Sequence, residues 1–163
     1  MDKILIIGGG DLAKQINYHL SSDPNVEVVG FVDDTMSNGE KRFNQNCLGD
    51  LKDIPKLFNQ KVFDKLITGI GYNHLKFRKD LLAKLSSYSF HTFIHKESII
   101  DKSASLGKGV FISSGVVLDQ NVVIGDNVFL YNSVCIAHDS VIGDNCFLSP
   151  GVSIAGFVII GEN

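Results

Sequence analysis

The sequence predicts a two-part fold: an α/β unit with a parallel sheet over residues 1–94, then a parallel β-helix over residues 95–163. Three observations carry this reading. Short apolar runs alternate with helix-like segments in the first part. Every sixth residue from Ile100 onward is Ile or Leu in the second. A glycine-rich loop, Gly8-Gly9-Gly10, stands directly after the first apolar run.

The elements follow in chain order. KILIIG is a strand-like run ending in glycine, and DLAKQINYHL places Leu12, Ile16 and Leu20 at helical spacing. VEVVGFVDD and FDKLITGIG read as second and third strands, with a helix, HLKFRKDLLAKLSS, after the third. Strand–helix–strand order with short apolar strands implies a parallel sheet with right-handed crossovers. The rhythm then changes. Ile100, Leu106, Ile112, Leu118, Ile124, Leu130, Ile136, Ile142, Leu148, Ile154 and Ile160 form an unbroken ladder. Four residues after each rung stand small or β-branched residues, from Ala104 and Val110 to Val158, and Gly107, Gly125, Gly143 and Gly161 follow rungs in IGDN-like turns. A period of six fits neither a helix nor a meander. It fits hexapeptide repeats, three per triangular coil, so that residues 18 apart stack at about 4.8 Å. The sequence stops at Gly161-Glu162-Asn163, within a hexad. A solenoid needs its last coil covered, so the chain reads as a truncated version of a longer protein whose C-terminal coils are missing.

Composition narrows the function. The chain has 163 residues, 44% hydrophobic and 20% charged, with net charge −3, which suits small domains with ordinary cores. Mild acidity gives no electrostatic reason to expect nucleic acid or an anionic membrane. There is no 18-residue apolar stretch and no signal-peptide pattern at MDKILIIGGG. Cys47, Cys135 and Cys146 lack CxxC spacing, so reduced thiols and a cytoplasmic location are expected.

The histidine in NSVCIAHDSVIGD raises the question of chemistry. In this register His138 is an outward corner residue two positions after Ile136, stacked over Lys102 and Gln120 and below Gly156. A side-chain-free position one coil beyond an imidazole leaves a notch where a ligand can reach a backbone N–H. A base beside such a donor is the minimal equipment for acyl transfer. Asp139 can hold the other ring nitrogen if the corner bends the chain. The alternative is a solvated corner pair, and at this point both readings stand. A three-histidine zinc site is not built, because after His95 only His138 remains; no metal is expected.

The front loop, Gly8-x-Gly10-x-x-Ala13 with Asp33 downstream, matches a dinucleotide fingerprint. The unit is about half of a two-lobed dinucleotide fold, so a mononucleotide or nucleotide-sugar fits better than NAD; a tight βα turn without ligand is the alternative. Gly69, Gly71 and Asn73 end the third strand, where open α/β sheets place their crevice. Arg78, one helical turn on, reads either as a phosphate ligand or as a solvated helix residue.

Taken in order, GGGDLAK, VDD at 32–34, GIGYN at 69–73 with Arg78, FIHKESIIDKSASLGKGV, and IAHDSVIGD followed by PGVSIAG make the chain resemble the nucleotide-sugar acetyltransferases of bacterial surface-glycan synthesis, of the PglD/NeuD type. The resemblance implies a Rossmann-like nucleotide-sugar-binding domain and a left-handed β-helix acyltransferase domain. It also implies acetyl-CoA as acyl donor and a homotrimer with coenzyme sites between subunits. It makes His138 the general base, Asp139 its support and Gly156 the donor to the thioester carbonyl. Gly8, Gly10, Asp11, Asp33, Asp34, Gly71, Asn73 and Arg78 fall at substrate-binding positions, with Tyr131 and Asn132. Phe147 and Gly151 fall with Gly156 in the coenzyme region. The chain departs from the family at Leu12, Tyr131 and Phe147, where a histidine, an asparagine and a histidine are common. The implied activity is N-acetylation of a nucleotide-linked amino sugar. Alternatives are O-acetylation of a sugar or sialic acid, and a non-catalytic nucleotide-sugar-binding trimer. An NAD-dependent oxidoreductase is disfavoured, since only repeats follow the glycine loop.

Overall fold

The computed structural model describes residues 1–163. It divides into two compact units, Met1–His74 with Lys84–His91, and Leu75–Ala83 with Thr92–Asn163.

The first unit is built on β1 (Asp2–Ile7), β2 (Val26–Val32) and β5 (Lys65–Thr68), parallel and ordered β2-β1-β5. Central β1 is apolar because both its faces are covered: Ile4, Leu5, Ile6 and Ile7 are fully buried. Helix α1 (Asp11–Leu20) buries Ala13, Ile16 and Leu20. Three short elements escape the apolar pattern of the sequence. They are an antiparallel pair, β3 (Lys41–Arg42) with β4 (Gln45–Asn46), and helix α2 (Ile54–Asn59).

The second unit is the coil. Its strands are two residues long and form three parallel four-stranded walls. One wall stacks Phe93–Ile94, Phe111–Ile112, Phe129–Leu130 and Phe147–Leu148. The next holds Ile99–Ile100, Val117–Leu118, Cys135–Ile136 and Ser153–Ile154. The third holds Ser105–Leu106, Val123–Ile124, Val141–Ile142 and Ile159–Ile160. Each rung pairs in register with a residue 18 away, such as Leu118 with Ile136, which fits a left-handed parallel β-helix of hexapeptide repeats. The Ile/Leu ladder and the interleaved valines share one core.

The corners explain the rest of the repeat. Every sixth residue from Gly109 to Asn163 has φ between 55° and 73° or, at Asn163, 75°. Glycine, asparagine and aspartate fill most of these positions, as the left-handed region demands. In the IGDN turn the aspartate ties one coil to the one before. Asp126 Oδ1 accepts the Lys108 N–H at 2.7 Å, and Asp144 Oδ1 accepts the Asp126 N–H at 2.8 Å. The glycine beside it must lack a side chain: a Cβ on Gly125 would stand 2.3 Å from Asp144 Oδ1 and 2.8 Å from its N.

Helix α3 (Leu75–Lys84) packs against the phenylalanine wall. Phe93, Phe111, Phe129 and Phe147 stack with centroids 5.1, 5.5 and 6.0 Å apart. Phe111 and Phe129 are buried although they point outward from the coil, worth roughly 2 kcal/mol each. The helix supplies the cover that outward-facing aromatics need.

Candidate active site

His138 and Asp139 sit at a corner of the coil, and the corner settles how adjacent residues meet. Asp139 has φ 58°, so its carboxylate turns back along the coil instead of facing away from the imidazole. His138 Nδ1 lies 2.9 Å from Asp139 Oδ2. The carboxylate can only accept, so Nδ1 carries the proton and Nε2 is left as the basic nitrogen. Hydrogen bonds from His138 and Asn121 hold the Asp139 carboxyl below its ordinary range. The pair therefore persists through neutral pH and is lost as acid titrates the carboxylate through its lowered value.

Gly156 stands one coil above, where the repeat places it. A Cβ there would lie 2.9 Å from both Cε1 and Nε2 of His138, so only glycine leaves the ring in place. The Phe157 N–H donates to the His138 carbonyl at 3.1 Å, fixing the two coils together at this point. Phe157 itself has φ 60°, is 74% exposed, and meets the imidazole edge to face at 5.1 Å. A bulky residue in this backbone region is strained, and the spacing of the repeat alone did not single it out. Asn121, also missed by sequence reasoning, is the residue 18 before Asp139. The same stacking arithmetic would have found it.

Tyr131, Asn132, Phe147 and Gly151 group at a different corner. Tyr131 and Phe147 pack at 5.0 Å, Asn132 Nδ2 donates to Ser114 Oγ at 2.7 Å, and the Gly151 N–H donates to the Asn132 carbonyl at 2.9 Å. They lie one hexad or more away from His138 along the coil, so a single chain does not bring these residues into contact with the imidazole.

The glycine loop of the first unit meets the loop after β5: a Cβ on Gly8 would lie 3.3 Å from the Gly69 carbonyl oxygen. Gly10 is the N-terminal cap of α1 with no side-chain cap bond, and Asp11 lies in the first turn. This leaves backbone donors of the helix free at the crevice. Gly71 lies near α1, with Leu12 Cδ2 4.0 Å from a Cβ built on it, and Asn73 follows in the short helical turn Tyr72–His74. Asp33 is tied to the loop itself. Its Oδ2 accepts the Gly9 N–H at 2.8 Å, and its Oδ1 accepts Thr35 N–H at 2.8 Å and Oγ1 at 2.6 Å. Partial burial raises its pKa, but these bonds outweigh burial and hold it low. Asp34 Oδ1 accepts the Leu51 N–H at 2.9 Å.

Arg78 overturns both of its sequence readings. It is 0% exposed, its guanidinium lies 4.5 Å from the centre of the Phe129 ring, and it donates to the Asn127 carbonyl. It is neither solvated nor open to a phosphate, because the aromatic wall draws its stem and its planar head inward. Burial lowers its pKa to about 10, so it remains a cation at neutral pH.

Residues 121–156, which contain Asn121, His138, Asp139 and Gly156, match the bacterial transferase hexapeptide (six repeats) family. Comparison with curated protein sequences gives no match. Among solved structures, PerB from Caulobacter crescentus, in complex with CoA and GDP-perosamine, is similar at 25% identity with TM-score 0.78 over 99% of this chain and 87% of its own. WeeI from Acinetobacter baumannii AYE is 20% identical, TM-score 0.76, over 97% of this chain and 74% of its own. The acetyltransferase domain of PglB from Neisseria gonorrhoeae FA1090, in complex with acetyl coenzyme A, is 15% identical, TM-score 0.70, over 99% and 88%. At these identities the last two speak to fold alone. The resemblance read from the sequence is borne out: the repeat matches a bacterial transferase hexapeptide model over residues 121–156, and the fold is similar to that of PerB over nearly the whole chain. No helix is long and apolar enough to cross a membrane.

Proposed function

We propose that the protein is an acetyl-CoA-dependent N-acetyltransferase acting on a nucleotide-linked amino sugar, with His138 as general base. The single observation that carries this reading is the imidazole laid across Gly156 with Asp139 on its far nitrogen. Nε2 takes a proton as the sugar amine attacks the thioester carbonyl carbon. The carbonyl oxygen becomes an oxyanion facing the Gly156 N–H, then the carbon–sulfur bond breaks and the imidazolium returns the proton to the leaving thiolate. The PerB likeness, a structure with CoA and GDP-perosamine bound, supports acetyl-CoA as donor and a nucleotide amino sugar as acceptor.

In this reading the first unit is a Rossmann-like nucleotide-sugar-binding domain. Gly8, Gly10 and the first turn of α1 at Asp11 face the phosphates, with Gly71 and Asn73 completing the crevice; Asp33 and Asp34 hold its loops. The proposed assembly is a cytoplasmic homotrimer in which a second copy brings the corner bearing Tyr131, Asn132, Phe147 and Gly151 to the imidazole of the first. O-acetylation uses the same residues on a hydroxyl.

Thiol release from acetyl-CoA with UDP-, dTDP- and GDP-amino sugars tests the activity. His138→Ala is expected to lose about 10²–10⁴-fold in kcat with nucleotide-sugar affinity unchanged. Undiminished turnover in that variant rules out the general base. Nucleotide-sugar binding by the wild type with no thiol release would favour the non-catalytic alternative.

A further inference from the structure

We propose that Asn121 is a positioning residue that orients Asp139, and through it the tautomer and ring plane of His138. The inference rests on the acetyltransferase reading above. Residues 103, 121, 139 and 157 share one corner column, and the column is hydrogen-bonded from bottom to top. Ser103 Oγ donates to Asp101 Oδ1 at 2.6 Å and accepts the Asn121 N–H at 2.9 Å. Asn121 Nδ2 donates to Asp139 Oδ1 at 2.9 Å, and the Asp139 N–H donates to the Gln120 carbonyl at 2.9 Å.

The direction of the amide contact is dictated by chemistry, because the opposite orientation would set an amide oxygen against a carboxylate oxygen. Asn121 thus occupies Oδ1 and pins the carboxylate plane, so that Oδ2 alone faces Nδ1 of His138. A carboxylate held at one oxygen rotates less at its Cβ–Cγ bond, and the acceptor for the imidazole proton stays in place. Second-layer bonds of this kind fix ring orientation and proton location in histidine sites generally.

Asparagine is also a common occupant of this backbone region, with φ 57° at Asn121, so a purely conformational role is the competing explanation. Substitutions that keep the backbone separate the two. Asn121→Gly retains a residue at ease in the left-handed region and removes only the amide. It is expected to lower kcat about tenfold, the scale of one hydrogen bond to a charged group, with KM for both substrates unchanged. Asn121→Asp keeps the shape but supplies only acceptors, and is expected to fall further. In an Asp139→Gly background, Asn121→Gly is expected to cost nothing more, because the two act as one chain. Losses that add in the double variant overturn the proposal, as does wild-type kcat in Asn121→Gly.

A readout without substrate keeps this inference separable from the acetyltransferase reading. Imidazole ¹⁵N shifts at neutral pH should show the Nδ1–H tautomer of His138 dominant in the wild type and reduced in Asn121→Gly. An unchanged tautomer ratio sinks the positioning role whatever the enzyme acetylates. Absent thiol release with the tautomer shift present sinks only the activity.

Discussion

Two corners of the coil share one backbone and do different things. The column of Asn127, Asn145 and Asn163 and the column of Asn121, Asp139 and Phe157 all have φ between 55° and 75°. In the first, Asn145 is buried at 4% exposure, and its Nδ2 bonds the Asn163 amide oxygen at 2.9 Å and the Leu75 carbonyl on helix α3 at 3.3 Å. It is an amide ladder under a helix. In the second the side chains are open to solvent, one rung is a carboxylate, and the imidazole beside it faces a glycine. The difference teaches that the repeat supplies a scaffold, and that three local departures set the proposed reactive corner apart from the structural one: an exposed edge, a carboxylate where the other column has an amide, and one missing side chain.

Removing those departures should collapse the contrast. The largest effect is expected from Gly156→Ala, whose new methyl would stand 2.9 Å from two ring atoms of His138. Displacing a reacting group by about 1 Å costs on the order of 10²-fold. A kcat falling by about that factor, with urea unfolding little changed, is the expected result. Next comes the structural corner. Asn145→Ala forces alanine into the left-handed region at roughly 1–2 kcal/mol and removes buried hydrogen bonds worth about 1 kcal/mol each. Urea denaturation should register a loss of about 2–4 kcal/mol, while kcat measured well below the transition stays at wild type. A kcat loss matching that of Gly156→Ala would erase the distinction between the corners. The smallest effect belongs to Phe157→Asn. Asparagine relieves the strained backbone at the cost of an aromatic contact that is largely exposed, a net gain of about 0.5 kcal/mol in the same unfolding assay. A loss of stability there would mean that the phenylalanine ring, not the backbone, dominates that position.

Much of this was legible in the sequence because stacking in a solenoid is arithmetic. Once Ile100 to Ile160 set a period of six, the neighbours of His138 follow by adding or subtracting 18, and that sum puts Gly156 beside the imidazole. The same sum one column over leads to Asn121. Helix α3 was legible as a helix but not as part of the coil unit. Nothing in HLKFRKDLLAKLSS says that its arginine will lie on Phe129, since that contact joins residues whose separation obeys no period. The pair β3–β4 and helix α2 escaped for a simpler reason: they are short and lack a long apolar repeat.

The sequence by itself determined the coil, its register, and the meeting of His138 with Gly156, because in a repeat each contact is local to its neighbour and propagates by translation. Only the tertiary structure decided which corner is covered and which is open, that Arg78 is a buried staple and not a phosphate ligand, and that Asp139 turns toward the imidazole. Those outcomes depend on which surface a helix buries and on the sign of one backbone angle, and neither is a periodic property of the chain.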